Sequence, residues 1–225
     1  MKINIAIDGP SASGKSTIAK RLAKKLNYVH IDTGSMYRAT AYKAIMNGIS
    51  LEDEVSVVNM LENTEFNFTP EGQLIMDGNL VGHEVRNTEC DKGSSLVSRL
   101  QNVRAKLVNI QQKITQKKGF ILDGRDIGTV VLPTAELKIF QVAFLLERAK
   151  RRHLEFQDKG NLMSFDEVYE DLRSRDIADS TRTYSPLRKA KDAIELDTSF
   201  LSIDETVEQI TQLYNQTVER LNQHD

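Results

Sequence analysis

The chain has 225 residues, of which 40% are hydrophobic and 28% charged, and its formal net charge is −2 at pH 7. This length and composition fit one globular domain with a sizeable core. No overall positive field would draw it to nucleic acid or to an anionic membrane, so any anion binding must be local. Cys90 is the only cysteine, which excludes an intrachain disulfide and a cysteine-based zinc site. The sequence shows neither a signal-type start nor an apolar run of about 20 residues, so we expect a cytoplasmic protein.

The first predicted strand, Ile3–Asp8, runs directly into a glycine-rich loop of defined spacing. Gly9, Gly14, Lys15 and Ser16 satisfy the pattern G-x-x-x-x-G-K-[ST], and an amphipathic helix follows. In this pattern backbone N–H groups surround the phosphates, the lysine bridges the β- and γ-phosphates, and the serine ligates Mg²⁺. The sequence therefore predicts a nucleoside triphosphate site. Its residues are Gly9, Pro10, Ser11, Ala12, Ser13, Gly14, Lys15, Ser16 and Thr17.

The phosphate loop alone leaves the phosphoryl acceptor open. Water, a small alcohol, another nucleotide or no productive acceptor are all compatible with the loop. The remaining segments must decide between them.

The second predicted strand, Tyr28–Asp32, ends in the segment DTGSMYR. Thr33 therefore lies at the carboxyl edge of the predicted sheet, beside the phosphate loop, where open α/β sheets bind ligands. Arg38 falls one helical turn beyond Gly34, a position from which it can meet an anion. The alternative is that Thr33 and Gly34 only form a helix N-cap and turn.

Residues 40–100 interrupt the alternation of strands and helices. Turn signals at 70–72 and 77–79 predict short antiparallel strands within 65–86. We interpret this stretch as an insertion into the core. The helical pattern over 103–118 then resumes the alternation, and Gly119 is predicted to end that helix.

The third predicted strand, Phe120–Asp123, delivers three charges to the same sheet edge. Asp123, Arg125 and Asp126 follow a buried apolar run, and a charge in such a place is costly unless a partner satisfies it. The segment lacks the acid–Glu pair that is typical of many ATPases. Two acids on either side of an arginine suit a ligand that carries both a phosphate, for the arginine, and hydrogen-bond donors, for the acids. The alternative is that the acids and the arginine only pair with one another at the surface.

The C-terminal part of the chain completes the predicted sheet. Strands are predicted at Leu137–Ala143 and Ala193–Asp197, and capping-box patterns at 164–167 and 202–205 predict the starts of two helices. Together with the earlier elements, this alternation predicts an α/β fold with a covered parallel sheet and right-handed crossovers.

An arginine-rich zone lies between these two strands. Arg175, Asp179 and Arg182 are spaced i, i+4 and i+7, which places them on one face if the segment is helical. A solvated helix face explains such a run equally well, but planar guanidinium groups favour phosphate binding. The basic run 148–153 leaves an RNA-binding arm as a weaker alternative. The histidines show no metal-ligand or nucleophile spacing; they are His30, His83, His153 and His224.

Several segments occur in an order that resembles the bacterial cytidylate kinases, which belong to the nucleoside monophosphate kinase group. They are IDGPSASGKST, DTGSMYR, SRLQNVR, DGRDIGTVV, SRDIADSTR and SPLRKAKDAIELDT, and the resemblance covers essentially the whole chain. It implies a P-loop NTPase-type parallel five-stranded sheet with helices on both faces, a small antiparallel β-containing insertion and a helical lid. It also implies in-line transfer of the ATP γ-phosphoryl group to CMP or dCMP with Mg²⁺, and no nucleic-acid or membrane partner.

The resemblance and the patterns give one division of the single domain, residues 1–225. We expect a core of residues 1–39, 101–146 and 191–225, an acceptor-binding insertion of residues 40–100, and a lid of residues 147–190. The sequence carries no oligomer signal, and we expect a monomer.

The resemblance also implies roles for individual side chains. The residues that match the CMP-binding set of the family are Thr33, Arg38, Ser95, Arg104, Arg125, Asp126, Arg175, Asp179 and Arg182. Within this set, the implied readers of the cytosine are Ser95, Arg104 and Asp126. The implied catalytic residues, which neutralise charge on the transferring phosphoryl group, are Lys15, Arg125, Arg175 and Arg182. Ser16 is implied as a Mg²⁺ ligand, and Asp123 is implied to reach Mg²⁺ through water.

Two other functions remain open from the residues themselves. One is a kinase of the same architecture that acts on another small phosphorylated acceptor. The other is a nucleotide-binding switch or partner-driven ATPase, which predicts slow hydrolysis without an acceptor and stimulation by a macromolecule.

Overall fold

The computed structural model, which describes residues 1–158 and 160–223, is organised around a parallel five-stranded sheet. In chain order the elements are β1 (Ile5–Asp8), α1 (Lys15–Leu26), β2 (Val29–Asp32), α2 (Thr33–Met46), α3 (Glu54–Glu62), β3 (Phe66–Phe68), β4 (Leu74–Met76), β5 (Asn79–Leu80), α4 (Thr88–Val97), α5 (Gln101–Ile114), β6 (Phe120–Gly124), β7 (Leu137–Val142), α6 (Leu145–Asp158), α7 (Phe165–Thr181), β8 (Ile194–Asp197) and α8 (Ile203–Asn222). A 3₁₀ turn (His83–Val85) precedes α4, and a π-helical turn (Ile127–Val131) follows β6. The five strands predicted for the main sheet are confirmed.

The strand order in the main sheet is β2-β6-β1-β7-β8, and every pair is parallel. β1 is therefore central, and the loop that follows it lies between the ends of β6 and β7. In register, Asp123 of β6 stands beside Asp32 of β2 and Ile7 of β1. This register brings the charged ends of β2 and β6 to the phosphate loop. The fifth strand differs from the prediction of a covered strand, because β8 is an edge strand and largely exposed.

Alternate side chains of the sheet fill two apolar layers. Ile5 and Ile7 of β1 point to one face and pack in a cluster with Leu22 of α1 and Ile210 of α8. Ala6 belongs to the opposite cluster, with side chains of β2, β6 and the π-helical turn. Each fully buried Leu or Ile contributes about 1.5–3 kcal/mol. The two layers hold the sheet rigid beneath its carboxyl edge.

The insertion has its own apolar cluster and a small antiparallel sheet, β3-β4-β5, as the turn signals predict. Asp77 and Gly78 have φ +51° and +79°, the left-handed pair that a tight hairpin turn requires. The other turn contacts the core: Gly72 has φ +80°, and a Cβ there would lie 2.2 Å from His30 O. Only glycine allows this approach to β2.

Several predicted helix boundaries can be compared with the structure. The capping boxes at Ser164 and Ser202 are both present, and they begin α7 and α8. The prediction that Gly119 ends the preceding helix is wrong, because α5 already ends at Ile114. Gly119 instead has φ +105° and leads into β6. Within residues 1–158 and 160–223, no helix combines the length and apolar character needed to cross a membrane.

Candidate active site

The loop between β1 and α1, residues 9–14, has a backbone shaped for an anion. Ala12 has φ +56° and Gly14 has φ +91°, so the loop passes through the left-handed region at both positions. Turns of this kind gather N–H groups into anion-binding concavities, here at the amino end of a helix. Gly9 has no room for a side chain, since a Cβ there would lie 2.3 Å from Gln141 O.

Lys15, the first residue of α1, is buried against this loop. Its ammonium group donates to Pro10 O at 2.6 Å and to Ser13 Oγ at 3.2 Å. Burial, together with the positive charge of Arg125, lowers the pKa of Lys15 from 10.5 to about 7. An anion beside Lys15 would favour its charged form. The electrostatics of the loop therefore favour a phosphate at this point.

Asp123 at the end of β6 joins the loop to β2. Ser16 Oγ donates to one carboxylate oxygen at 2.7 Å, His30 Nε2 lies 2.7 Å from the other, and Thr33 Oγ1 donates to the Asp123 carbonyl at 2.8 Å. Burial alone would raise the pKa of Asp123. The hydrogen bonds with His30 and Ser16 and the charge of Lys15 outweigh burial and hold that pKa below its usual range. Asp123 is therefore a carboxylate at neutral pH.

The oxygens of Ser16 and Asp123 form a donor set that fits Mg²⁺, which prefers hydroxyl, carboxylate, water and phosphate ligands. Among the described residues, no group of three or more His, Cys, Asp or Glu side chains could hold a metal ion. The donor set therefore suits an ion that keeps water and substrate phosphates as its other ligands.

A buried ion pair occupies the same sheet edge on the side of the insertion. Arg104 of α5 donates to Asp126 Oδ2 at 2.5 Å, and Arg182 approaches Asp126 Oδ1 at 3.9 Å. Arg104 also lies over the ring of Tyr37 at 5.3 Å and donates to Ser98 O at 3.2 Å. Two guanidinium groups thus converge on one carboxylate in a region from which solvent is largely excluded.

Arg125 connects the phosphate loop to the helices of the predicted lid. Its Nε donates to Asp179 Oδ2 at 2.6 Å, and its NH2 donates to Ser11 Oγ at 2.7 Å. Asp179 Oδ1 in turn lies 3.8 Å from Arg182 NH1. Arg125 is therefore placed between the phosphate loop and the buried ion pair.

Other predicted site residues have separate partners. Arg38 pairs with Asp32 at 2.7 Å, and Arg175 pairs with Asp171, one turn earlier on α7, at 3.1 Å. Ser95 lies on α4, and its carbonyl accepts a bond from the Ser98 hydroxyl. Ser98 O in turn accepts from Arg104. Ser95 is therefore connected to the Arg104–Asp126 pair only indirectly, through Ser98.

Three buried guanidinium nitrogens have no hydrogen-bond partner among the described residues. They are Arg38 Nε, Arg104 Nε and Arg182 NH2. A buried unpaired donor costs about 1–3 kcal/mol. All three belong to arginines that the sequence predicts as acceptor-binding residues, and an anionic or carbonyl-bearing ligand would satisfy them.

The start of α2 excludes the alternative that Thr33 is the N-cap of this helix. Its N-cap is Asp32, whose carboxylate accepts from Ser35 N, and Thr33 is already the first helical residue. The Thr33 hydroxyl is thereby free to bond the end of β6. Gly34 leaves space for Arg38, because a Cβ there would lie 3.2 Å from Arg38 NH1.

Sequence reasoning missed three residues that shape the site. Arg148, which the sequence analysis includes only in the basic run 148–153, is buried and donates to Ser11 O at 2.9 Å and to Asp176 at 2.6 Å. The Asp8 carboxylate accepts from the N–H groups of Ile127 at 2.8 Å and Gly128 at 2.7 Å, and burial raises its pKa to about 6.

The third missed residue is His30, which contacts Asp123 although the sequence shows no pairing for any histidine. The two are 93 positions apart, so no local spacing could reveal the contact. His224, the last of the predicted unpaired histidines, lies outside the described residues.

The family model described as cytidylate kinase matches residues 5–216. A cytidylate kinase of Caldicellulosiruptor bescii is 46% identical over 220 residues, 96% of this chain and 97% of that protein. A cytidylate kinase of Anoxybacillus flavithermus is 47% identical over 221 residues, 97% of this chain and 98% of that protein.

Solved structures show the same architecture at low identity. A gluconokinase from Sinorhizobium meliloti superimposes with a TM-score of 0.55 at 12% identity, covering 100% of this chain and 98% of that one. An uncharacterized protein from Eubacterium ventriosum gives a TM-score of 0.54 at 15% identity, covering 96% and 99%. At such identity the likeness concerns the fold alone.

Proposed function

The chain belongs to the cytidylate kinase family, and from this we infer that it catalyses the ATP-dependent phosphorylation of CMP and dCMP to CDP and dCDP. The observation in this chain that best supports the inference is the buried pair of Arg104 and Asp126, at the sheet edge beside the phosphate loop. The pair presents a hydrogen-bond acceptor on Asp126 and donors on Arg104, whose Nε–H has no partner among the described residues.

The pair suits cytosine because its hydrogen-bonding pattern is complementary to the base. Cytosine has an amino donor at N4 and acceptors at N3 and O2. An ionised Asp126 would accept from N4, and Arg104 would donate to the acceptors. Uracil has a carbonyl in place of the amino group, so it would face the carboxylate with a second acceptor. A polar mismatch of this kind discriminates strongly between substrates.

The remaining groups divide between the two nucleotides. Residues 9–17 hold the ATP phosphates, and Lys15 neutralises charge on the β- and γ-phosphates. Arg125 and Arg182 contact the phosphate of the acceptor and the group in transfer, and Arg38 adds a contact to the acceptor phosphate. Thr33 and Asp179 bind the acceptor nucleotide, together with the residues Ser95 and Arg175. The acceptor is already an anion, so in-line placement and charge stabilisation are sufficient, without a strong general base.

Mg²⁺ would be held by Ser16 directly and by Asp123 through water. When bound, it would neutralise charge on the phosphates and fix their orientation. The Ser16 hydroxyl donates to Asp123, so both groups lie together at the amino end of α1.

The division into core, insertion and lid accounts for how the two nucleotides reach one site. α6 and α7 form the lid, and Arg148 attaches α6 to the phosphate loop through Ser11 O. Closure of α7 over the acceptor would exclude water and suppress ATP hydrolysis. The sequence carries no oligomer signal, and the enzyme is expected to act as a monomer. A cytoplasmic location, where ATP and CMP are both available, suits this reaction.

Product analysis tests the reaction class. Incubation with ATP, Mg²⁺ and CMP is expected to give CDP and ADP in a 1:1 ratio, with little ADP when CMP is omitted. ADP release that does not depend on CMP, or that responds instead to a macromolecule, would identify a partner-driven ATPase and overturn the proposal.

A further inference from the structure

The turn that follows α7 contains a residue with an unusual backbone conformation. Ser185 has φ +52°, in the left-handed region that residues with a side chain rarely adopt. It also precedes Pro186, and a residue before proline normally has an extended conformation. Strain of this kind persists only where the surrounding structure holds it, and it clusters at functional sites. Ser185 is therefore a candidate for a role in the site.

Three other residues with a side chain have positive φ in the described part of the chain, and each has a local reason. Asn27 ends α1, and Asp77 forms the hairpin turn with Gly78. Asparagine and aspartate tolerate the left-handed region better than other residues with a side chain. Ala12 belongs to the phosphate loop. None of these reasons applies to Ser185, so its conformation must come from its own contacts.

The contacts of the turn connect it to the end of α7. The carbonyl group of Ser185 accepts a hydrogen bond from Arg182 Nε at 2.6 Å. Arg182 is the C-cap of α7, with φ −60° and ψ 144°, so the helix ends there and the chain turns back towards the Arg182 side chain. Two residues after Ser185, Leu187 N donates to Asp179 O at 2.7 Å. These two bonds hold the turn against the helix and keep Ser185 in the left-handed region.

The bond to Ser185 holds the guanidinium group of Arg182 by its Nε. Within residues 1–158 and 160–223 it is the one hydrogen bond of this side chain. NH1 lies 3.8 Å from Asp179 Oδ1 and NH2 lies 3.9 Å from Asp126 Oδ1, and both distances are too long for a hydrogen bond. The two terminal nitrogens, which together can bind a phosphate, are thus oriented by the backbone while their N–H groups stay available.

We propose that Ser185 is a positioning residue: its left-handed backbone, rather than its hydroxyl group, directs Arg182 towards the phosphoryl group in transfer. This inference rests on the proposed function, in which Arg182 contacts that group. A free arginine side chain loses conformational entropy when it binds a phosphate, and a guanidinium group that the backbone already holds loses less. In-line transfer depends on such placement, so the effect falls on kcat.

Three substitutions at Ser185 separate the role of the backbone from that of the hydroxyl group. Ser185→Gly adopts the left-handed region freely, and Ser185→Ala removes only the hydroxyl group. Ser185→Val adds a β-branched side chain, which strongly disfavours the left-handed region. With ATP and CMP, kcat should change by less than about 2-fold in the first two variants and fall about 5- to 20-fold in Ser185→Val. The Kd of ATP, measured calorimetrically without CMP, should stay the same in all three.

Thr183→Val is the matched control. Thr183 lies in the same turn, is exposed, and is not one of the residues with positive φ. The substitution places valine in the turn but exchanges one β-branched side chain for another of similar shape. Thr183→Val is therefore expected to leave kcat unchanged, and circular dichroism checks the folding of every variant.

Arg182→Ala shows whether Ser185 acts through Arg182. In the Arg182→Ala background, Ser185→Val should cause no further loss of kcat, because the group that Ser185 positions is absent. A second double-mutant cycle uses the free energy of unfolding of the ligand-free chain in urea. The two substitutions should be non-additive there as well, because loss of the bond to Arg182 lets the turn relax.

Equal losses of kcat in Ser185→Ala and Ser185→Val would assign the effect to the hydroxyl group and overturn the proposal. A wild-type kcat in Ser185→Val, or full additivity in either cycle, would also overturn it. The unfolding cycle needs no CMP turnover. If the intact chain forms no CDP, the proposed function is overturned, and the unfolding cycle still decides whether Ser185 holds Arg182.

Discussion

Asp126→Asn removes the charge at the point proposed to read the base while it keeps the size of the side chain. In the structure Asp126 is buried, pairs with Arg104 at 2.5 Å and lies 3.9 Å from Arg182. Asparagine can present an amide N–H₂ where the carboxylate presents only acceptors. The variant can therefore donate to the O4 carbonyl of uracil, a group that the wild-type carboxylate repels.

The size of the effect follows from the cost of an unsatisfied buried group. When UMP is bound, the Asp126 carboxylate faces the uracil O4 carbonyl, and neither of these acceptors has a donor. An unsatisfied buried group costs about 1–3 kcal/mol, and a charged one costs more. Removal of this penalty should lower the CMP-to-UMP ratio of kcat/KM about 5- to 150-fold. Folding should also suffer, because breaking a buried ion pair costs about 3–5 kcal/mol.

The assay measures kcat/KM for CMP and for UMP at a temperature at which circular dichroism shows the variant to be folded. Asp192→Asn is the matched control, because Asp192 pairs with Lys138 at 2.8 Å through an exposed carboxylate at the outer end of the sheet. That control is expected to leave the CMP-to-UMP ratio unchanged. An unchanged ratio in folded Asp126→Asn would refute the role of Asp126 in base reading.

Three further predictions concern the loop and the sheet beneath it. Asp8 has its pKa raised from 3.8 to about 6, so its contribution to stability is present at low pH and lost as pH rises through about 6. The free energy of unfolding of the intact chain should therefore fall by about 2 kcal/mol relative to Asp8→Asn between pH 4 and pH 7, and a pH-independent difference would contradict the burial of its charge. Gly9→Ala would place a Cβ 2.3 Å from Gln141 O, so ATP affinity measured by calorimetry should fall at least about 10-fold, and wild-type affinity would contradict the close approach. His30→Leu removes the partner of Asp123 and should weaken Mg²⁺-dependent ATP binding about 10-fold, whereas His30→Gln, which retains a donor, should restore most of it; equal loss in both variants would show that the contact with Asp123 is not responsible.

The sequence predicts the main sheet well because the signals involved are local. Ile5 and Ile7 alternate with Ala6 in a short apolar run, and such runs recur at each strand. The phosphate loop is equally local, since its glycines and Lys15 follow one another within a few residues. The capping boxes at Ser164 and Ser202 need only four residues each, and both are present.

Features that depend on distant residues could not be predicted in this way. The Asp123 carboxylate finds His30 only because β2 and β6 are neighbours in the sheet. In the sequence Arg148 cannot be distinguished from the other arginines of its basic run. Its contact with Ser11 O depends on the packing of α6 beside the phosphate loop. The predicted end of α5 is wrong because Gly119 has positive φ at the entry to β6, and glycine is equally common with positive φ just after a helix.

The most direct test of the account is the release of ADP from ATP in the presence of CMP, dCMP, UMP, AMP or GMP, each at the same concentration. A site built on Arg104 and Asp126 predicts that CMP and dCMP stimulate ADP release far more than the other nucleotides. Equal stimulation by all five acceptors would contradict the reading of cytosine by this pair.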